Sequence, residues 1–329
     1  MTSSRIFRIS MGIALLAAVI FLGLTYGPVT LSWQQVGQSL IHPFSSSIPA
    51  IIIWDIRLPR LIAAALVGGA LGTAGAVMQA LFKNPLADPY IVGASAGAGF
   101  GAMLFSLLLP ASGLMGVGAF IGAITAVFAA YLLARGQGRV HMLTLILAGY
   151  ALSLVLGALT TFVMLAHQKT LTQVLSWELG GIHGIGWHEL LWPSIMIIVA
   201  LVATWPFAPE LNAFYLGEEQ AHYLGVNVMR AQTLLLILAS LLTAASVYLA
   251  GLIGFVGLVI PHIIRRLQGS NHHLLLPLSF FAGAIFLVGA DILAEQIPWI
   301  GTVPVGLVSD LIGGPYFVYI LFKTRVVSG

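Results

Sequence analysis

The chain is built from long apolar runs with almost no charge in them, most about as long as a bilayer is thick. A helix needs about 20 apolar residues to cross the hydrocarbon core. Runs of that kind lie near 11–27, 58–82, 90–109, 113–133, 142–165, 190–207, 231–250, 252–264, 274–293 and 303–322. Across 329 residues, 59% are hydrophobic and 7% charged, so lipid rather than water surrounds most of the chain. In lipid every backbone polar group must be satisfied within its own segment, and apolar runs of this length do so as helices. The predicted fold is therefore an all-α integral membrane protein of about ten transmembrane helices. Ten spans of about 20 residues take roughly 200 positions, which leaves one transmembrane domain over 1–329 with a cytoplasmic loop at 210–226. The run ending at Ile264 is short and reads as a broken span. The first run follows Arg5 and Arg8 as a signal peptide would, but no small-x-small cleavage site follows it, so it is read as a span.

Basic residues orient the spans, because cytoplasmic connections carry the excess. With the N-terminus inside, Arg5, Arg8, Lys83, Arg135, Arg139, Arg230, Arg265, Arg266, Lys323 and Arg325 lie on the cytoplasmic side. Only Arg57, Arg60 and Lys169 lie outside. Both termini are then cytoplasmic, in a plasma (inner) membrane of bacterial or archaeal type. There is no cysteine, which excludes disulfides, thiolate metal sites and cysteine nucleophiles. The net charge of +3 is too small and too scattered for a nucleic-acid surface.

Between two apolar runs lies a compact acidic stretch, Leu216-Gly-Glu-Glu-Gln-Ala-His-Tyr-Leu-Gly225. At helical spacing Leu216, Ala221 and Leu224 share one face, with Glu218, Glu219 and Gln220 on the others. A solvated connecting loop is one reading. A small helix that docks on a soluble protein and is moved by it is the other.

Arg57-Leu-Pro-Arg60 stands at the outer mouth of the second span, its proline suited to a first helical turn. The arginines are either snorkelling interface residues or a pair of cationic posts for an acidic partner arriving from outside. At the inner end, Phe82-Lys-Asn-Pro-Leu-Ala-Asp-Pro89 breaks the helix at an Asn-Pro step. Non-helical backbone at membrane depth is tolerated against protein or a water-filled cavity, so the turn is either plain or lines an inner gate with Asn84 and Leu86.

The glycines of Gly93-Ala-Ser-Ala-Gly-Ala-Gly99 and Gly68-Gly-Ala-Leu-Gly72-Thr-Ala-Gly75 lie inside apolar runs and begin no β-α unit, which rules out a dinucleotide fingerprint and points to close helix packing or a smooth cavity wall. The run Gly251–Arg266 carries glycines every third residue and then Pro261, the pattern of a bent or broken helix. His262, His272, His273, His167, His183 and His188 lack metal-site spacing, and neither a metal nor a cofactor is expected. Asp291, Glu295 and Asp310 are ionisable groups near or within the membrane, so a proton or cation relay through them is an alternative function. No Gly-x-x-x-x-Gly-Lys-Ser/Thr phosphate loop occurs. A membrane hydrolase using His262 would need a nucleophile–base–orienter set, and none is visible.

Taken together, Arg57-Leu-Pro-Arg60, Gly75-Ala-Val-Met-Gln79, Asn84-Pro-Leu-Ala-Asp-Pro89, Leu216-Gly-Glu-Glu with Leu224-Gly225, Gly254-Phe-Val-Gly-Leu-Val-Ile-Pro-His262, Leu275-Leu-Pro277, Gly289-Ala-Asp-Ile-Leu-Ala294, Val303-Pro-Val-Gly306 and Gly313-Gly-Pro-Tyr316 resemble the FecCD-type permeases of ABC importers. These segments follow family order from the second span onward. The resemblance implies a type II importer permease without catalytic residues of its own. It implies a homodimer with the pathway at its interface, two cytoplasmic ATPase subunits and an extracytoplasmic substrate-binding protein. The cargo implied is a metal chelate: ferric siderophore first, then heme or cobalamin, with molybdate-type oxyanions remaining.

By the same resemblance, Leu216, Gly217, Glu218, Glu219, Ala221, Leu224 and Gly225 couple to the ATPase. Arg57 and Arg60 meet acidic residues of the binding protein. Asn84, Leu86, His141, Met142 and Leu143 form the inner gate, here a hydrophobic constriction that closes partly by excluding water. The chain departs from many relatives at Glu295, where an arginine is common, so a third cationic post is absent and the docking surface carries mixed charge.

Overall fold

The computed structural model describes residues 2–43, 45–110, 113–136, 139–182, 184–297 and 303–327. His183 lies outside them. The chain is helical nearly throughout: α1 (Thr2–Thr25), α2 (Trp33–Ile41), α3 (Ile48–Ile51), α4 (Leu58–Leu81), α5 (Ala94–Leu108), α6 (Met115–Ala134), α7 (Met142–Ala166), α8 (Gln168–Glu178), α9 (Trp187–Thr204), α10 (Ala208–Leu216), α11 (Glu218–Tyr223), α12 (Val228–Ala250), α13 (Val256–Gln268), α14 (His272–Glu295) and α15 (Val305–Val327). A short antiparallel hairpin, β1 (Arg135–Gly136) with β2 (Arg139–Val140), links α6 to α7. Among the described residues, 7 helical stretches are long and apolar enough to cross a membrane, and α5 and Val305–Ile320 are shorter apolar helices. Nine of the ten apolar runs read from the sequence fall on helices of this set; the run 252–264 falls on α13, which is not one of them.

α4 is the axis of the packing. In its most apolar window 89% of residues are buried, against 11% in α7. The α4 glycines allow this, because a Cβ at Gly68 would collide with the carbonyl of Gly283 on α14, and one at Gly75 with the carbonyl of Gly257 on α13. Gly97 and Gly101 of α5 press in the same way on Gly122 and Gly118 of α6. Lipid offers no hydrophobic drive between helices, so this close backbone approach supplies the dispersion contacts that hold them. The buried hydroxyls of Thr73, Ser240, Thr243 and Ser246 bond to carbonyls four residues earlier in their own helices, and none is left unpaired.

Two expectations about helix ends are corrected. Arg57-Leu-Pro-Arg60 does not begin the second span, which runs as one stretch over Ile48–Leu81. It starts after Ser47 with Pro49 in its first turn, and a π-helical turn at Ile52–Arg57 precedes Pro59. In that wide turn Leu58 N–H donates to the Ile53 carbonyl five residues back, so the ring of Pro59 enters where the ladder is already offset. The broken span also breaks earlier than its proline. Gly251 (φ +66) and Phe255 (φ +64) turn the backbone before α13, and Pro261 lies inside that helix.

Candidate coupling, gating and docking sites

α10 ends at Gly217, whose φ of +121 suits a residue without Cβ. α11 then runs for one and a half turns and closes at Gly225 (φ +83). The predicted shared face of Leu216, Ala221 and Leu224 is not the one α11 presents outward. Ala221 is fully buried, and the Val226 N–H donates to its carbonyl at 3.1 Å. The exposed apolar side chains are Leu216, Tyr223 at 85% and Leu224 at 65%. Tyr223 was missed from sequence, although an aromatic beside Leu224 on a charged loop is a signal for a docking knob. Glu218 accepts from Gln232 Nε2 of α12 at 3.2 Å and lies 4.0 Å from Lys83 Nζ.

The turn after α4 is held by its own asparagine. Asn84 N–H donates to the Gln79 carbonyl at 3.1 Å, and Leu86 N–H donates to Asn84 Oδ1 at 2.9 Å. Lys83 takes a left-handed backbone, φ +49. Further along, the Tyr90 N–H donates to Asp88 Oδ1 at 2.8 Å, and burial pushes the Asp88 carboxyl up to about 6. Of the other predicted gate residues, His141 caps α7 without a side-chain bond, Met142 is partly buried and Leu143 is exposed. Further along both segments, a Cβ at Gly149 of α7 would press on the Val92 backbone. His141 shares a cleft of about 840 Å³ with Glu218, Glu219 and His222 of α11.

Gln79, part of the quoted sequence pattern but given no role there, fastens this end. Its Nε2 donates to the Leu258 carbonyl at 3.0 Å, and its Oε1 accepts from Arg265 Nη1 at 2.9 Å. Arg265 also lies over the Tyr215 ring, 5.8 Å from its centroid. The buried Gln79 amide therefore ties α4 to α13, and Arg265 extends the tie to α10.

At the N-terminal end of α4, neither arginine is a free post in this chain. Arg57 is buried and donates to the carbonyls of Leu24, at 2.6 Å, and Val29. Arg60 forks onto Asp291, with Nη2 at 2.7 Å from Oδ1 and Nε at 3.0 Å from Oδ2, and its Nη1 pairs with Glu295. The partner of Asp291 is thus Arg60 of α4, and the same guanidinium holds Glu295. Asp310, the third acid considered for a relay, lies against Gly254 at the break before α13 and is exposed. A separate pocket of about 360 Å³ between α5, α7 and α8 is lined by Gly99, Gly157, Thr160, Thr161, Met164 and Glu178, among others. Burial raises the Glu178 carboxyl above its ordinary range.

The described residues thus form a multi-pass helical bundle with a glycine-packed axis, a broken half-helix and a short acidic helix between two long ones. The chain belongs to the FecCD transport family, which it matches over residues 15–323. It is 40% identical over 301 residues to the cobalamin import system permease protein BtuC of Halobacterium salinarum, covering 90% of this chain and 81% of that protein. It is 40% identical over 282 residues to the hemin transport system permease protein HmuU of Yersinia pestis, covering 83% and 84%. A solved structure described as an inward-facing conformation of a metal-chelate type ABC transporter superposes with a TM-score of 0.85 at 28% identity, covering 97% of this chain and 99% of that one.

Proposed function

We propose that this chain is the membrane-spanning subunit of an ATP-driven importer of a metal chelate. Two copies form the pathway between them, two separate ATPase subunits bind inside, and a substrate-binding protein docks outside. The observation that carries the reading is α11: a short helix whose Tyr223 and Leu224 stand in solvent while Ala221 anchors it to the bundle. Exposed apolar knobs on a charged cytoplasmic helix fit a cleft in a soluble partner. Both Glu218 and Glu219 flank that surface and set its charge.

The exposure of α7 and α15 supports a pathway at a subunit interface. Asp310 is exposed in the interior of α15, and a carboxylate facing lipid there would cost several kcal/mol. A water-filled pathway between two copies removes that cost. Asn84, Leu86, His141, Met142 and Leu143 close its inner end. Arg57 and Arg60 position the outer docking surface through their bonds, and the acids around Arg60 give it mixed charge.

The names of the relatives move cobalamin and heme ahead of ferric siderophore as cargo. Two carboxylates of the alternative relay, Asp291 and Glu295, are already held by Arg60.

The test is assembly. The detergent-purified chain mixed with its ATPase subunit is expected to elute as a two-plus-two complex. Tyr223→Glu with Leu224→Glu is expected to abolish it while leaving the permease folded. A complex unaffected by that double substitution refutes the assignment of α11.

A further inference from the structure

We propose that Glu218 and Lys83 form the contact through which movement of α11 reaches the inner gate, so that Lys83 is a positioning residue for transport. The proposal rests on the reading of α11 as the ATPase-coupled helix and adds where its motion goes. Three observations meet at this point. Glu218 is the first residue of α11, and its carboxylate faces two elements at once, Gln232 of α12 and Lys83 of the turn after α4. Lys83 immediately precedes Asn84 in that turn.

Lys83 also has one of two left-handed non-glycine backbones among the described residues. A side chain with Cβ is strained there, and such residues persist only where their surroundings hold them, commonly at switches. Neighbouring bonds provide the hold: Lys83 N–H to the Ala80 carbonyl at 3.3 Å and Asn84 N–H to the Gln79 carbonyl at 3.1 Å. The ion pair adds a tie from the moving helix to that strained residue.

The same end of α11 also faces the segment that leads into α7. Val140 and His141, which lead into α7, line the same cleft as Glu218, Glu219 and His222. α11 therefore adjoins both the Asn84 turn, reached by an ion pair, and the entrance of α7, reached across an open cleft. A shift of α11 is carried to the Asn84 turn through the ion pair. Ala221, buried against its own chain, keeps α11 from swivelling independently.

Each Lys83 and Glu218 side chain is about half exposed, at 43% and 51%. A pair of that kind contributes a modest factor, about fivefold at most, so it tunes coupling rather than creating it. The experiment uses the complete complex of permease, ATPase and binding protein in proteoliposomes, with cobalamin imported per ATP hydrolysed as the readout. Lys83→Glu is expected to lower that ratio about threefold to fivefold. Lys83→Arg is expected to keep it. The exchange of both charges, Lys83→Glu with Glu218→Lys, is expected to recover at least half of the loss.

Assembly of each variant with the ATPase is checked by co-elution, so that a lost partner is not read as lost transmission. If Glu218→Lys prevents assembly, Lys83→Met, which leaves α11 untouched, gives the decision. An unchanged ratio in Lys83→Glu or Lys83→Met overturns the proposal, as does an assembled charge exchange no better than the single reversal. If uptake by the unaltered complex needs no ATP, the importer reading itself fails, which is a separate result from these.

Discussion

Removing Arg60 is expected to be the most damaging single change to a charge in this chain. The reason is the depth of its partner: Asp291 is 1% exposed and Arg60 15%. Taking away the guanidinium leaves a buried carboxylate without a counter-ion, and breaking a buried pair from one side costs about 3–5 kcal/mol. Arg60→Met should therefore lose about that much stability. Asp291→Asn leaves Arg60 paired with Glu295 and keeps an acceptor in place, so about 1–3 kcal/mol is expected. Glu295→Gln leaves the fork onto Asp291 intact and should cost about 1 kcal/mol or less.

The decisive variant is the double one. Arg60→Met with Asp291→Asn removes the stranded charge along with its partner and should be more stable than Arg60→Met alone. The assay is SDS titration of the detergent-solubilised protein, followed by tryptophan fluorescence. Arg60→Met within about 1 kcal/mol of the unaltered protein, or a double variant no better than the single, would refute the reasoning. The second result would show that Asp291 finds water or another donor once Arg60 is gone.

Other outcomes follow from the same geometry. Gly75→Ala places a methyl against the Gly257 carbonyl and should destabilise by about 1–3 kcal/mol, measurable in the same titration. Asp88 is a pH-sensitive point outside the spans: its carboxyl, held near pH 6 by burial, favours the folded state when protonated. That contribution is complete below about pH 4 and is lost as pH rises through about 6. Stability should thus rise on acidification between those values by at most about 3 kcal/mol, and Asp88→Asn should flatten this part of the profile.

How much of this was legible depended on how far apart the cooperating residues stand. The spans were legible because each is a local apolar run, and the chain has almost nothing else to place in lipid. The glycine contacts were legible as a class, though not their partners: Gly68 meets Gly283 across more than two hundred positions. The same separation hid the Arg60–Asp291 pair, and with it the fact that the outer arginines are already occupied. Helix ends were less readable. The signal for the early start of the second span was Pro49 after Ser47, but Asp55 and Arg57 interrupt the apolar run and masked it. Gly251 and Phe255 break the backbone where Pro261 drew attention, because a proline inside a helix need not end it.

Within Leu216–Gly225, the helix and its glycine boundaries were legible, and its outward face was not. An alanine fits either face of a short helix, so the pattern of Leu216, Ala221 and Leu224 did not reveal that Ala221 turns inward. Tyr223 then takes the exposed place. α8 escaped notice because it is short and too polar to stand out as a span, yet it supplies Glu178 to the pocket beside α7.

The central claim, that ATP hydrolysed by a separate subunit drives chelate import through this chain, is tested most directly by uptake into proteoliposomes. The vesicles would hold the permease and its ATPase, with the binding protein and cobalamin outside and ATP enclosed. The account predicts cobalamin accumulation that requires ATP and is abolished by Tyr223→Glu with Leu224→Glu. Accumulation without ATP that follows an imposed proton gradient and ignores that double substitution would contradict it.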